Sequence, residues 1–354
     1  MNDNITNPIQ ARHIKLQSWL AQQFSPFDPV NDLIEPIKAG NRFAGPTQFH
    51  YFRITIAGDT HIIIDLSGEP EKTRANGAAF VNVAALLEKA GLNVPKIVTQ
   101  DLERGFLLLS NMGQQNYLDK LSEENADSLL RPAADALIKW QLSSTPNILL
   151  DVSAAQLGRE LNLFSDGYLA QHLALALNEV QKKTLGNVFN SIVAANVAEA
   201  KVFVHRDYVP QNLMIANPNP GVLGFERAIY GPVSYDIVSL YKDAFISWDE
   251  ERVLDGTIRY WEKAKKAGLP VPTDFGDFYR DVEWMGLQRH LHLLGTFASR
   301  NKLDNGPDYL AEAPRFLKYI RKVGERYTAL FPMIRLFDAL KIDDGIVRKS
   351  GYSF

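Results

Sequence analysis

The hydrophobic period of this chain changes near residue 112, and that change limits the architectures open to it more than any other feature. Upstream, Tyr51 to Ile56 and His61 to Asp65 are rich in β-branched and aromatic residues and flank a turn holding Gly58 and Asp59, which predicts a hairpin. Val94 to Val98 and Gly105 to Ser110, with leucines at 107, 108 and 109, continue the strand pattern. Between them Phe80, Val83, Ala84, Leu86 and Leu87 fall at helical spacing and Gly91 closes the run, so one amphipathic helix is expected over 77–90. Another is expected over 14–22. Beyond Ser122 the helical period takes over, with helices expected at 123–142, 154–173, 177–200, 235–245, 250–267 and 274–299. The expected fold is α+β, with a small sheet-containing N-terminal lobe over residues 1–112 and a larger, mostly helical C-terminal lobe over 113–354.

Composition narrows the function. The chain has 354 residues, enough for one large two-lobed unit. Lysine and arginine number 38 against 41 acidic residues, so there is no basic footprint and nucleic acid is not an expected partner. The absence of cysteine excludes disulfides, thiolate metal ligands and a cysteine nucleophile. The opening MNDNITNPIQARHIKLQSWL lacks the pattern of a signal peptide, and no run of apolar residues is long enough to span a bilayer. A cytoplasmic protein with a small-molecule substrate, no membrane association and a monomeric state is expected.

The chemistry concentrates between Val202 and Leu240. Val202 to Val204 reads as a short buried strand that delivers His205, Arg206 and Asp207 into a loop, and Asn212 follows five positions after Asp207. Two short strands, 213–215 and 222–225, then flank a Pro/Asn turn, and a helix follows Pro232. This is the H-x-D-x-x-x-x-N loop and hairpin of the protein-kinase-like superfamily. Its spacing has a reason: Asp207 can accept the proton of an attacking hydroxyl while Asn212 offers an oxygen to magnesium. The plainer alternative is that both side chains only bond backbone groups of their own loop.

The words HRDYVPQNLM, IYGPVSYDIVSLYKDAFISW, RYWEKAKKAGLPVP, DFYRDVEWMGLQRHL and YLAEAPRFLKYIRKV resemble the aminoglycoside phosphotransferase and choline kinase group. Within that group they are most similar to the N-acetylmuramate/N-acetylglucosamine anomeric kinases of cell-wall recycling, from about Tyr51 to Leu340. The resemblance implies a protein-kinase-like two-lobe fold with ATP between the lobes, magnesium on its phosphates, and an amino sugar whose anomeric hydroxyl attacks the γ-phosphate. It makes Asp207 the catalytic base, Asn212 a metal ligand, His205 and Arg206 supports of the loop, and Asp236 the group that holds the loop by hydrogen bonds. Sugar contacts are expected, by the same analogy, from Tyr208, Arg289, His290 and Tyr168.

Several positions depart from the family wording. The second hairpin strand ends there in Asp-Phe, the aspartate holding metal, whereas here it reads Leu223-Gly224-Phe225. Glu226, two positions on, projects to the same side of an extended segment and is the available substitute. Where a phosphate lysine is usual the strand ends in Asp65, the glutamate position of the next helix holds Asn82, and the connector presents Asn111. Asp65 and Asn111 are the nucleotide-side candidates. The loop from Gly40 to Gly45 is no Walker loop, and Asp274-Phe275-Gly276 is a helix cap that happens to spell DFG. An expected tryptophan is Gly167, which points to altered substrate choice. Trp284, Leu287, Leu291 and Leu294 read as core, and His290 and His292, two apart on a helix, do not make a metal pair. Two functions follow: an active ATP-dependent phosphotransferase, or a silent paralogue that keeps the fold and binds a metabolite or partner because Gly224 carries no ligand.

Overall fold

Continuous apolar runs in two inner strands, HIIID and FLLLS, give the first part of the chain a sheet that is covered on both faces. A computed structural model describes residues 8–24, 34–37, 49–56, 58–66, 72–303 and 309–342; the loop from Gly40 to Gly45 lies outside them. After helix α1 (Pro8–Gln23) come strands β1 (Glu35–Pro36), β2 (His50–Ile56) and β3 (Asp59–Asp65), helix α2 (Thr73–Lys89), and strands β4 (Ile97–Asp101) and β5 (Phe106–Ser110). They form one antiparallel sheet in the order β1-β2-β3-β5-β4. Ile54, Ile56, Ile63, Phe106 and Leu108 point to one face, where Leu16, Trp19 and Leu20 of α1 cover them. Ile64, Leu107 and Leu109 point to the other face and meet Phe80, Val83 and Leu87 of α2. The fourth strand starts at Ile97, three residues later than the sequence suggests, because Pro95 has no N–H to give a ladder.

The rest is mostly helical: α3 (Tyr117–Lys120), α4 (Ala126–Leu142), α5 (Ala154–Leu163), a π-helical stretch Phe164–His172, and α6 (Glu179–Ala198). Strand β6 (Lys201–Val204) leads to a hairpin of β7 (Leu213–Met214) and β8 (Gly221–Val222). Strand β9 (Ile229–Pro232) was not anticipated; it returns antiparallel to β6, so the strand that delivers the loop is clamped along its length. Helices α7 (Tyr235–Tyr241), α8 (Glu250–Ala267), α9 (Phe275–Leu303), α10 (Ala313–Gly324) and α11 (Phe331–Ala339) follow. Helix α7 stops four residues short of the expected end, which frees Asp243 to Phe245 from helical geometry.

Gly167 is explained by packing. A Cβ there would lie 2.5 Å from the carbonyl oxygen of Gly295, so the π-helical stretch and α9 touch backbone to backbone, and no tryptophan fits. The inner face of the sheet and the β6–β9 region share one apolar core, while α6, α9, α10 and α11 build a second.

Candidate active site

The loop after β6 is held from three sides. Asp236, fully buried at the start of α7, accepts the His205 N–H at 2.6 Å and the Arg206 N–H at 3.0 Å. Arg206 has a positive φ of 75°, a strained backbone for a residue with a Cβ. Its conformation persists because neighbours fix it: Glu160 of α5 binds its guanidinium and Arg289 of α9 donates to its carbonyl at 3.0 Å. His205 accepts the Asp207 N–H at 3.3 Å through Nδ1, and burial pushes its pKa down to about 4, so the ring is a neutral prop.

Asp207 emerges from this scaffold into a cavity of about 360 Å³. Burial alone would raise its carboxyl. Arg227, whose guanidinium lies 3.7 Å from Oδ2, outweighs that together with Arg289 and Arg206, and the group sits below the ordinary aspartate range. The Asn212 side chain donates to the Asp207 carbonyl at 2.9 Å, which turns it toward the same space. Gly224 has φ +73°, and a Cβ on it would meet Asn212 Nδ2 at 2.6 Å. Any side chain at 224 would therefore project onto Asn212, which is where a paired metal ligand would stand. Glu226 lines the cavity as well, its pKa pushed up to about 7 by burial, with Asp207 adding to the rise.

The cavity gathers Asp207, Asn212, Glu226, Arg289 and Asn111, five of the residues singled out from sequence. Asn111 also shapes the connector, its Oδ1 accepting the Gly113 N–H at 3.1 Å. Four others are corrected. Asp65 shares the strand parity of Ile63 and so faces α1, where Arg12 pairs with it at 2.6 Å; it does not line the cavity. Tyr208 is buried behind the loop, its hydroxyl donating to the Ala133 carbonyl at 2.8 Å. Tyr168 stacks on Phe164 in the second core with the His172 ring tilted against it, and His290 stacks on Tyr319 with Nε2 against the Lys242 carbonyl at 3.2 Å. His290 faces away because Arg289, one position earlier, takes the cavity side of α9. Trp284, Leu287, Leu291 and Leu294 pack in or against the second core.

Three cavity residues escaped the sequence reading. Arg53 faces inward on β2 with Tyr51, a placement that strict alternation in HYFRITI could have given. Asp243 and Phe245 were absorbed into an expected helix. The signal was a Lys-Asp pair, Lys242 and Asp243, interrupting the apolar pattern at the end of that helix.

Among the described residues no cluster of three His, Cys, Asp or Glu is arranged to hold a metal alone. A nucleotide-bound magnesium asks for less, one or two protein oxygens with phosphate and water completing the shell, and the Asn212 amide and the Glu226 carboxylate, both lining the cavity, are oxygen donors of the kind that demand calls for.

A kinase-type loop, a sheet of this order and a cleft beside Asp207 meet in a chain that matches the phosphotransferase enzyme family over residues 51–272. The chain belongs to the phosphotransferase enzyme family. One relative, the N-acetylmuramate/N-acetylglucosamine kinase of Pseudomonas aeruginosa, is 44% identical over 290 residues, covering 82% of this chain and 85% of that protein. Among solved structures, choline kinase LicA from Streptococcus pneumoniae superposes with a TM-score of 0.61 at 12% identity, covering 89% of this chain and 99% of that one. The ADP-bound aminoglycoside phosphotransferase APH(2'')-Ib gives 0.57 at 13% identity, covering 87% and 98%. The protein-kinase-like fold of this phosphotransferase is therefore shown at a distance where little sequence is shared. Nothing in these likenesses favours the silent alternative over an active enzyme.

Proposed function

We propose that the chain is an ATP-dependent kinase of amino sugars, with the anomeric hydroxyl of N-acetylmuramate or N-acetylglucosamine as the attacking oxygen. The observation that carries this reading is Asp207, ionised in the wall of the cavity beside Asn212, in a chain related over most of its length to kinases of that name. In this reading the acceptor hydroxyl hydrogen-bonds to the Asp207 carboxylate, its oxygen attacks the γ-phosphorus in line, and the bond to the β–γ bridging oxygen breaks to release ADP. The proton passes to Asp207 and then to solvent. No covalent intermediate forms on the protein. Arg227, Arg289 and Arg206 keep Asp207 ionised at neutral pH, so it orients the hydroxyl before transfer and accepts its proton only as the new bond forms.

Asn212 and Glu226 are the residues that would hold magnesium, which neutralises phosphate charge when bound. Asn111 edges the nucleotide from the connector. Residues 1–112 cover the nucleotide and 113–354 carry the acceptor, in a monomeric cytoplasmic enzyme taking sugars from cell-wall recycling.

Transfer of label from γ-labelled ATP to N-acetylmuramate, N-acetylglucosamine and aminoglycosides tests the reading. Asp207→Ala is expected to lower kcat by roughly 10²- to 10⁴-fold with folding intact. Should the wild type form no sugar phosphate while Gly224→Asp does, the silent reading replaces this one.

A further inference from the structure

One group in the cavity has no part in the phosphoryl step. Asp243 is only 4% exposed yet lines the cavity. It sits just past α7, where Oδ2 accepts the Phe245 N–H at 3.1 Å. Burial raises its carboxyl, and the backbone N–H groups of Phe245 and Ala244 and the charges of Arg289 and Arg315 only partly offset that. A buried carboxyl with no cation in direct contact is costly unless its lone pairs are hydrogen-bonded, and each oxygen has two to fill. The lone pairs not taken by backbone N–H groups need O–H or N–H donors from whatever occupies the cavity.

Helix α9 also lines the cavity. Arg289, Leu293 and Phe297 are spaced by four and share one face of the helix. Arg289 is fixed by its bond to the Arg206 carbonyl, and its Nε is buried with no partner. Phe245 and Phe297 bring aromatic rings to the same cavity. A carboxylate acceptor, an unfilled guanidinium donor and two apolar rings suit a ring-shaped polyol that also carries an acyl or carboxyl oxygen. They suit a flat apolar acceptor poorly, since it offers no donors to Asp243, and a simple quaternary amine poorly, since the Arg289 guanidinium shares the cavity and repels a second cation.

We propose that Asp243 is the hydroxyl-reading residue of the acceptor pocket, taking hydrogen bonds from ring hydroxyls of the sugar and so setting the preference for a pyranose acceptor. This rests on the amino-sugar reading given above. Asp243 is a specificity residue and makes no contact with the transferred phosphate.

The test is a substrate-by-variant cycle. Wild type, Asp243→Asn and Asp243→Ala are assayed with N-acetylglucosamine and its 3-, 4- and 6-deoxy analogues, with KM for ATP measured alongside, sugar binding followed by calorimetry, and thermal midpoints recorded. Removing one particular hydroxyl is expected to cost the wild type roughly 10- to 100-fold in kcat/KM. Asp243→Ala should lose a similar factor with the intact sugar, lose nothing more when that hydroxyl is absent, and keep its KM for ATP within about twofold. Asp243→Asn, which retains one acceptor oxygen and the shape of the site, should fall between.

A folded Asp243→Asn with wild-type sugar kinetics overturns the inference, as does a loss shared equally by every deoxy analogue or by ATP. If the wild type turns over amino sugars normally and only the coupling is missing, this inference alone fails. If the wild type neither binds nor phosphorylates any amino sugar, the reading beneath it fails too.

Discussion

Gly224 offers no side chain to the cavity that it lines beside Asn212, and its backbone geometry tolerates few substitutions. At φ +73° any Cβ is strained, aspartate and asparagine less than most, and the nearest atoms belong to the flexible end of Asn212. Gly224→Asp is therefore expected to fold, to cost about 1–2 kcal/mol in urea unfolding, and to lower the magnesium concentration needed for half-maximal activity. Gly224→Ala should lose at least as much stability, with no change in the magnesium titration. A second residue, His290, makes a pH prediction. Burial lowers its pKa to about 3 from an unfolded value near 6.5. The folded state then binds fewer protons than the unfolded state across that window, so its stabilising contribution is complete above pH 6.5 and is lost as pH falls toward 3. His290→Gln keeps a donor for the Lys242 carbonyl but does not titrate. Its urea midpoint should fall less between pH 7 and pH 5 than that of the wild type.

Elements differ in how far local sequence determines them. Helix α8 was legible to the residue, because Asp249 caps its start, accepting the Arg252 N–H at 2.7 Å, and Gly268 ends it at φ +90°. The hairpin of β2 and β3 was legible for the same kind of reason, a turn between two alternating runs. The π-helical stretch was not, since in sequence it reads as a continuation of α5, and its wider i→i+5 winding shows only in the structure, where it meets α9. Gly167 and Gly295 record that contact, and neither advertises it in sequence. The contact predicts opposite outcomes for two glycine-to-alanine changes. A Cβ on Gly295 would lie 2.1 Å from the Leu163 carbonyl carbon, a backbone atom that cannot swing aside, so Gly295→Ala should cost about 1–3 kcal/mol. Gly158 in α5 has nothing within 4 Å of its would-be Cβ, so Gly158→Ala should gain roughly 0.5–1 kcal/mol from helix propensity alone. Chemical denaturation of the two variants decides it, and equal effects would mean that the backbone contact is not as drawn.

On the scale of the whole molecule, the sequence named the loop and some of what shares its cavity, but not all. Asp207 and Asn212 follow from a motif, and Glu226, Asn111 and Arg289 from spacing or resemblance, whereas Arg53 and Asp243 reach the cavity from separate parts of the chain, and convergence of that kind is a property of tertiary packing. One core runs from Ile64 and Leu107 under the sheet to Val204 and Phe225 beside the loop, with Phe80 and Phe225 rings 4.8 Å apart, so α2 and the catalytic segment are joined. A nucleotide bound against that join stabilises both sides at once. Binding only to the folded state at 100 times Kd is worth about 2.7 kcal/mol. The thermal midpoint of the wild type should therefore rise by several degrees with ATP and magnesium, and by less with ATP and a chelator. Asn212→Ala and Glu226→Gln remove a side-chain oxygen and a charge from the cavity, the first together with its hydrogen bond to the Asp207 carbonyl. Each should abolish most of the magnesium-dependent part of the shift and leave the chelator value in place. If both variants keep the full wild-type difference, the metal is carried by the nucleotide alone, and the departure at Gly224 has no substitute within the chain.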